Sequence, residues 1–169
     1  MIRSIYFIVS LFTLIFWSSC RQDFEFTPTT GTLSFSKDTV YLDTVFSNIG
    51  SSTYTLKVYN NSDDDILIPS LKLSNGQTSN YRMNVDGMTG VGTLIGKEFE
   101  NVELLAKDSM FVFIETTIDI QPLVATEIQF LYTDAIEFGS GADTQKVELV
   151  TLVKDAVFLY PDKDAQGVI

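Results

Sequence analysis

Ser52 to Tyr59 reads STYTLKVY, and its side chains alternate strictly: Tyr54, Leu56 and Val58 to one side, Thr53, Thr55 and Lys57 to the other. A repeat of two sets one row on an apolar core and the other in water, which is the signature of a half-buried β-strand. Asn60 to Asp65 (NNSDDD) then supplies dense turn chemistry. Short apolar or alternating runs recur along the chain at Leu33 to Phe35, Val40 to Phe46, Ile66 to Leu73, Tyr81 to Val85, Phe99 to Leu104, Ser109 to Ile118, Glu127 to Tyr132, Gln145 to Val153 and Ala156 to Tyr160. No window has the period of an amphipathic helix. About 7–9 short strands separated by Gly, Asn and Asp predict an all-β chain folded as an antiparallel β-sandwich.

Three of these runs carry more than a boundary. Pro69 lies inside its strand and has no N–H for a ladder, so that strand is expected at an edge or at a bulge. Ser109 to Ile118 (SMFVFIETTI) is β-branched and aromatic on both faces at its start, which predicts a central strand covered on both sides. Asp86-Gly87 is a strong turn signal, and Gly87 to Gly96, with four glycines, is expected to be the longest flexible excursion.

The N-terminus has a different character. Arg3 gives a positive start, and Ile5 to Trp17 is an unbroken apolar run of 13 residues. A helix needs roughly 20 such residues to cross a bilayer, so the run reads as an export signal rather than a span. Ser18 and Ser19 lead into Cys20, the single cysteine. This arrangement resembles the lipobox of bacterial lipoproteins, with Trp17 where that motif usually has Leu. The resemblance implies cleavage just before Cys20 and diacylation of its thiol. The expected organisation is a signal peptide at 1–19, a lipidated tether at 20–31, a sandwich at 32–160 and a tail at 161–169. Arg21 to Gly31 is polar and threonine-rich, and is expected to hold the domain off the membrane without packing into it.

About 150 residues remain after the signal, enough for one domain with one core. Apolar residues at 45% and aromatics at 12% fit a globular fold. The net charge of −11 makes nucleic acid and anionic lipid head groups poor partners. With Cys20 acylated no thiol is left for a disulfide, a metal or a nucleophile, and the chain has no histidine. No catalytic residue, metal ligand or cofactor is therefore assigned.

Several clusters have plainer readings beside the functional ones. Asp63, Asp64 and Asp65 are rich in oxygen, but consecutive acids do not converge on one point, so a solvated turn is expected. Gly90 to Lys97 lacks the spacing and the following Ser or Thr of a phosphate-binding loop. Glu98/Glu100 and Glu115/Asp119 are carboxylate pairs of the kind glycosidases use, yet a chain with 22 acids has such neighbours by chance. Tyr59, Tyr81, Phe99, Tyr132 and Tyr160 are candidates for an aromatic ligand platform, with core packing as the default.

The segments DTVF (Asp43 to Phe46), LKVYN (Leu56 to Asn60), YRMNVDG (Tyr81 to Gly87), KDSMFVF (Lys107 to Phe113) and KDA (Lys154 to Ala156) together resemble the N-terminal domain of a family of Bacteroidota surface lipoproteins. That domain is similar to the immunoglobulin-like modules called ASH or Hydin-like, which implies an immunoglobulin-like sandwich and no known catalytic residues. In longer relatives it precedes a right-handed parallel β-helix. This chain ends at Ile169 without such repeats, so either a free-standing module or a truncated front domain is expected. Asp38-Thr39, Asp43-Thr44 and Asp108-Ser109, each followed by an apolar residue, resemble the O-glycosylation acceptor of exported Bacteroidota proteins, which makes Thr39, Thr44 and Ser109 candidate acceptors. The plainer reading is that Asp-Thr and Asp-Ser cap turns at strand starts.

The sequence thus predicts a lipid-anchored, non-catalytic surface or assembly module of the cell envelope, at the outer membrane. The membrane is reached through Cys20, and an envelope protein is the expected partner. The alternative is a glycan-binding module in nutrient capture. Cys20→Ala is expected to leave the protein soluble or unprocessed on fractionation. A variant that stays membrane-bound and is cut at the same place contradicts the lipoprotein reading.

Overall fold

The computed structural model describes residues 6, 25–29, 33–120, 129–139 and 141–156. Cys20 and Tyr160 lie outside these residues. Ten strands are seen among them: β1 (Thr27–Pro28), β2 (Leu33–Phe35), β3 (Thr39–Phe46), β4 (Tyr54–Asn60), β5 (Ile66–Leu73), β6 (Tyr81–Val85), β7 (Glu98–Leu104), β8 (Ser109–Thr116), β9 (Gln129–Phe138) and β10 (Gln145–Lys154). They form two sheets. One runs β1-β5-β9-β10-β3 with β7 on the other side of β5, and the second runs β2-β4-β8-β6. The chain folds as an immunoglobulin-like β-sandwich.

Connectivity follows from where apolar rows can be buried. The first long segment breaks after Phe35, so that β2 pairs antiparallel with β4 while β3 crosses to pair in parallel with β10. Parallel pairing also joins β1 to β5; the other ladders are antiparallel. From β5 to β8 the chain alternates between the sheets, with β6 beside β8 and β7 beside β5. Each crossing turns one row of a two-residue repeat inward. Leu56 and Val58 of β4, Val112 and Ile114 of β8, and Tyr81, Met83 and Val85 of β6 meet Ile68 and Leu71 of β5, Ile136 and Phe138 of β9, and Val147 and Leu149 of β10 in one buried layer. Burying one such aliphatic side chain contributes roughly 1.5–3 kcal/mol.

Within that layer Tyr81 is fully buried and spans the sheets. Its ring lies 5.3 Å from the ring of Tyr132. The hydroxyl donates to Thr151 Oγ1 at 2.9 Å and lies 3.2 Å from the Tyr132 carbonyl oxygen. Burial pushes the Tyr81 phenol far up from its ordinary value, so it stays a neutral donor at any physiological pH.

Several expectations are corrected. β8 is central in its sheet, but only Met110, Val112, Ile114 and Thr116 face inward; Phe111 and Phe113 are 43% and 39% exposed. Its outer face is therefore open, because a two-layer sandwich covers each sheet once. β5 is not an edge strand: β7 lines one side, and β1 and β9 share the other. Pro69 falls between the β1 and β9 pairings, and the ladder with β7 skips it together with Asn101, which has φ 52°. The polar segment before the sandwich packs against it, with the Thr27 N–H on Asp65 O at 3.0 Å and Thr29 buried. The strand expected over Glu127–Tyr132 is seen from Gln129 and runs on to Phe138. Ala156 is not in a strand, and the remainder of that expected segment lies outside the described residues.

Nor is Gly87 to Gly96 a free excursion. It closes on itself through Gly96 N–H to Thr89 O and Val91 N–H to Glu98 O. A Cβ on Gly90 (φ 104°) would sit 2.9 Å from the Gly96 nitrogen and the Leu94 oxygen, so this crossing needs glycine.

Removing one hydroxyl isolates the cross-sheet bond: Tyr81→Phe is expected to lower unfolding free energy by about 1–2 kcal/mol, read from urea denaturation. An unchanged midpoint means that this bond contributes no net stability.

Candidate binding surface

The outer row of the four-stranded sheet is built by the same alternation that fills the core. Ser109, Phe111, Phe113 and Glu115 of β8 point outward, flanked in register by Tyr59, Lys57 and Thr55 of β4 and by Asn84 and Arg82 of β6. Phe111 and Phe113 lie side by side, with ring centroids 6.2 Å apart and planes within 22°. Lys57 Nζ sits over two rings, 5.1 Å from the centre of Tyr59 and 5.4 Å from that of Phe111. A cation so placed is attracted by the ring faces and holds its stem along them.

Beyond Phe113 the row ends in a polar clasp. Arg82 Nε and Nη2 donate to Glu115 Oε2 at 3.0 and 2.9 Å, and Arg82 Nη1 donates to Thr117 Oγ1 at 3.0 Å. The Thr53 hydroxyl donates to the other carboxylate oxygen of Glu115. The Thr53 hydrogen bond and the Arg82 guanidinium hold the Glu115 carboxyl below its ordinary range. Arg82, Met83, Asn84, Phe113 and Glu115 line a shallow hollow of about 150 Å³ beside the second ring.

A second feature is an edge. Among the described residues five strands end the two sheets; β1 is only two residues and ends on Pro28, which has no N–H, and three of the other four edges are closed or broken. The Leu33 N–H donates to the Gln145 side-chain oxygen at 3.0 Å, and Leu33 O accepts from the Gln145 amide at 2.9 Å, closing three-residue β2. Along β6, Met83 N–H donates to Gly96 O at 2.8 Å, while Lys97 Nζ donates to Ser79 O at 2.7 Å and to Tyr81 O. Partial burial and the neighbouring Arg82 hold the Lys97 ammonium below its ordinary value. β7 bends at Asn101 and carries the exposed acids Glu100 and Glu103. Short, covered, bent or charged edges resist unwanted pairing.

β3 is different. The Glu148 N–H donates to Asp38 O, and the parallel register then commits Val40 and Leu42 to β10. The N–H and C=O of Thr39, Tyr41 and Asp43 face away. Asp43 N–H is taken by the Tyr54 hydroxyl at 3.0 Å, which in turn donates to Asp43 Oδ2 at 2.8 Å. Among the described residues nothing bonds to the outward backbone of Tyr41. Its side chain is 69% exposed. The register shifts at Asp43 and Thr44, so the open stretch is Thr39–Leu42.

The residues singled out in the sequence are scattered across the fold. Tyr81, Phe99 and Tyr132 are core, and Tyr59 is the one described member of the proposed platform on the outer row. Phe111 and Phe113 were missed because the MFVFI run suggested two covered faces. Glu115 is engaged by Arg82 and Thr53 rather than by Asp119. Glu98 and Glu100 lie along β7 without facing a partner acid strand. The three aspartates diverge: Asp63 pairs with Lys107 at 3.0 Å, while Asp65 is buried and accepts the Ala106 N–H at 2.9 Å. Among the described residues no group of three or more His, Cys, Asp or Glu could hold a metal ion. Thr44 is exposed; Thr39 and Ser109 are half-buried at strand starts, and the Ser109 N–H donates to Asp108 Oδ1 at 2.7 Å.

No family model and no curated protein matches the sequence. Solved structures similar to it include a family 123 glycoside hydrolase from Clostridium perfringens (12% identity, TM-score 0.49, 76% of this chain and 28% of that one). Others are the ASH/PapD-like domain of human CEP192 (11%, 0.41, 82% and 94%) and the E. coli chaperone DraB (17%, 0.41, 78% and 58%). The chain spans under a third of the hydrolase and less than two thirds of the chaperone. At these identities the likeness is one of fold.

The clasp has a pH signature. Glu115 and Glu137, the latter held low by Lys146, Ser74 and Lys72, both have lowered folded-state values. Their stabilising contribution is present above the ordinary carboxylate range and is lost as pH falls through the folded values. Melting temperature is expected to drop between roughly pH 5 and pH 3. A Glu115→Gln/Glu137→Gln variant should start lower at neutral pH and fall less steeply.

Proposed function

We propose that this chain is an exported, lipid-anchored and non-catalytic module of the cell envelope, held at the outer membrane through Cys20, that assembles with an envelope protein by accepting a strand. The open backbone of β3 carries this reading: among the described residues the β2, β6 and β7 edges are obstructed, β1 is two residues long, and β3 presents Tyr41 with its N–H and C=O outward. An added strand gains main-chain hydrogen bonds from the edge and side-chain contact from an exposed aromatic. The bulge at Asp43 limits the acceptor to a short segment, which suits a terminal extension or loop of the partner rather than a whole sheet. The lack of histidine, and the engagement of Glu115, Asp63 and Glu137 in ion pairs, favour a binding role over a chemical one. The resemblance to Bacteroidota surface lipoproteins supports the same placement, as a free-standing module or as the front of a longer β-helix protein.

Because the Tyr41 N–H faces outward, proline there removes the acceptor edge while sparing the ladder to β10. A photo-crosslinking side chain at Thr39 is expected to give a discrete envelope-protein adduct in cells. Adding Tyr41→Pro should abolish the adduct with a near-normal melting temperature. An adduct that survives Tyr41→Pro in folded protein, or no adduct in the parent, overturns the reading.

A further inference from the structure

We infer that the outer face of β8, with β4 and β6 on either side, is a binding site for a neutral, extended polysaccharide. This site is independent of the β3 edge and lies on the opposite sheet.

Outward positions of a sandwich strand facing water are ordinarily polar. Here the central strand places Phe111 and Phe113 outward in succession, both substantially exposed. They do not stand alone, since Lys57 and Tyr59 extend the row along the sheet. The rings are held by a strand paired on both sides, so the platform is ordered before any ligand arrives.

The geometry selects the ligand class. Two rings with centroids 6.2 Å apart and planes within 22° of parallel form an apolar strip, comparable in repeat to successive rings of an extended sugar chain. The C–H faces of pyranose rings cover such a strip, and their hydroxyls project sideways. At both sides of Phe113 the register sets hydrogen-bonding groups to meet them: the Thr55 hydroxyl on β4 and, on β6, the amide NH2 of Asn84, whose Oδ1 accepts the Gly87 N–H at 3.0 Å. The Lys57 ammonium, over the Phe111 and Tyr59 rings, is a further donor at that end of the row. A protein partner of equal area would instead leave these flanking polar groups to be matched or desolvated.

Charge decides between neutral and acidic glycans. The chain carries −11 overall, which repels a polyanion at distance. The local cations do not reverse this. Arg82 is neutralised by Glu115 at 2.9 Å, and Lys57 is partly engaged by the ring faces. A neutral chain meets neither difficulty.

The test uses the full lipidated protein in detergent micelles. Mobility in native gels containing hydroxyethylcellulose, xylan, glucomannan or polygalacturonate reports binding. Retardation by at least one neutral polysaccharide is expected, with affinity falling at least tenfold in Phe111→Ala/Phe113→Ala and severalfold in Asn84→Ala. Both rings lie outside the core, and circular dichroism confirms that the variants fold. Retardation by polygalacturonate alone overturns the neutral assignment. No retardation by any of the four, or retardation indifferent to both ring truncations, overturns the site. A protein crosslinked from Phe113 in cells, without polysaccharide binding, assigns the face to a protein and overturns the inference.

Discussion

With a single cysteine in the chain no internal disulfide ties the two sheets of this sandwich together, so everything else depends on the apolar layer pressed between them. That layer exists because one row of nearly every strand is written in Leu, Ile, Val, Met, Phe and Tyr at a spacing of two. The crossing from β2 to β3 puts successive parts of one early segment on both sheets. The β5–β8 stretch does the same from the other end, passing through the layer at each connection. Tyr81 adds a directional element inside the layer: a buried hydroxyl reaching Thr151 ties a strand of one sheet to a strand of the other at a defined register. Burial supplies most of the stability, and such polar contacts decide which alignment of the layers is kept.

Much of this architecture was legible in the sequence. The alternation in Ser52–Tyr59 and the turn chemistry of Asn60–Asp65 set β4 and its end, and β5 and β6 fall on the expected residues. What a period of two cannot reveal is which face meets the core when both are apolar. In β8 that ambiguity led to a strand covered twice, whereas the second apolar row is solvent-facing. Pairing partners were equally hidden. Pro69 suggested an edge or a bulge because a missing donor is cheapest there, and the fold places it in an interior strand, at a gap between two neighbours and a break in the β7 ladder. The outer site was invisible for a related reason: Phe111, Lys57 and Asn84 are brought together by register, which no stretch of sequence carries locally.

The two surfaces differ in kind. The aromatic row is side-chain chemistry on a rigid sheet, tolerant of which backbone lies beneath it. The β3 edge is backbone chemistry, and side chains act there mainly by permitting or blocking approach. Thr39 and Thr44 bracket that edge, so a sugar attached to the exposed Thr44 would crowd the approach to Tyr41. Modification and strand acceptance would then compete at one place.

The seal over β6 has a consequence for growth. Lys97 and the loop before it occupy the edge that would otherwise let a second molecule continue the four-stranded sheet. With the remaining described edges short, bent or capped, a strand received at β3 would meet no equivalent edge from which to pass the pairing on. The domain would terminate a sheet instead of propagating one. At high local density, that asymmetry separates a discrete complex from a fibre.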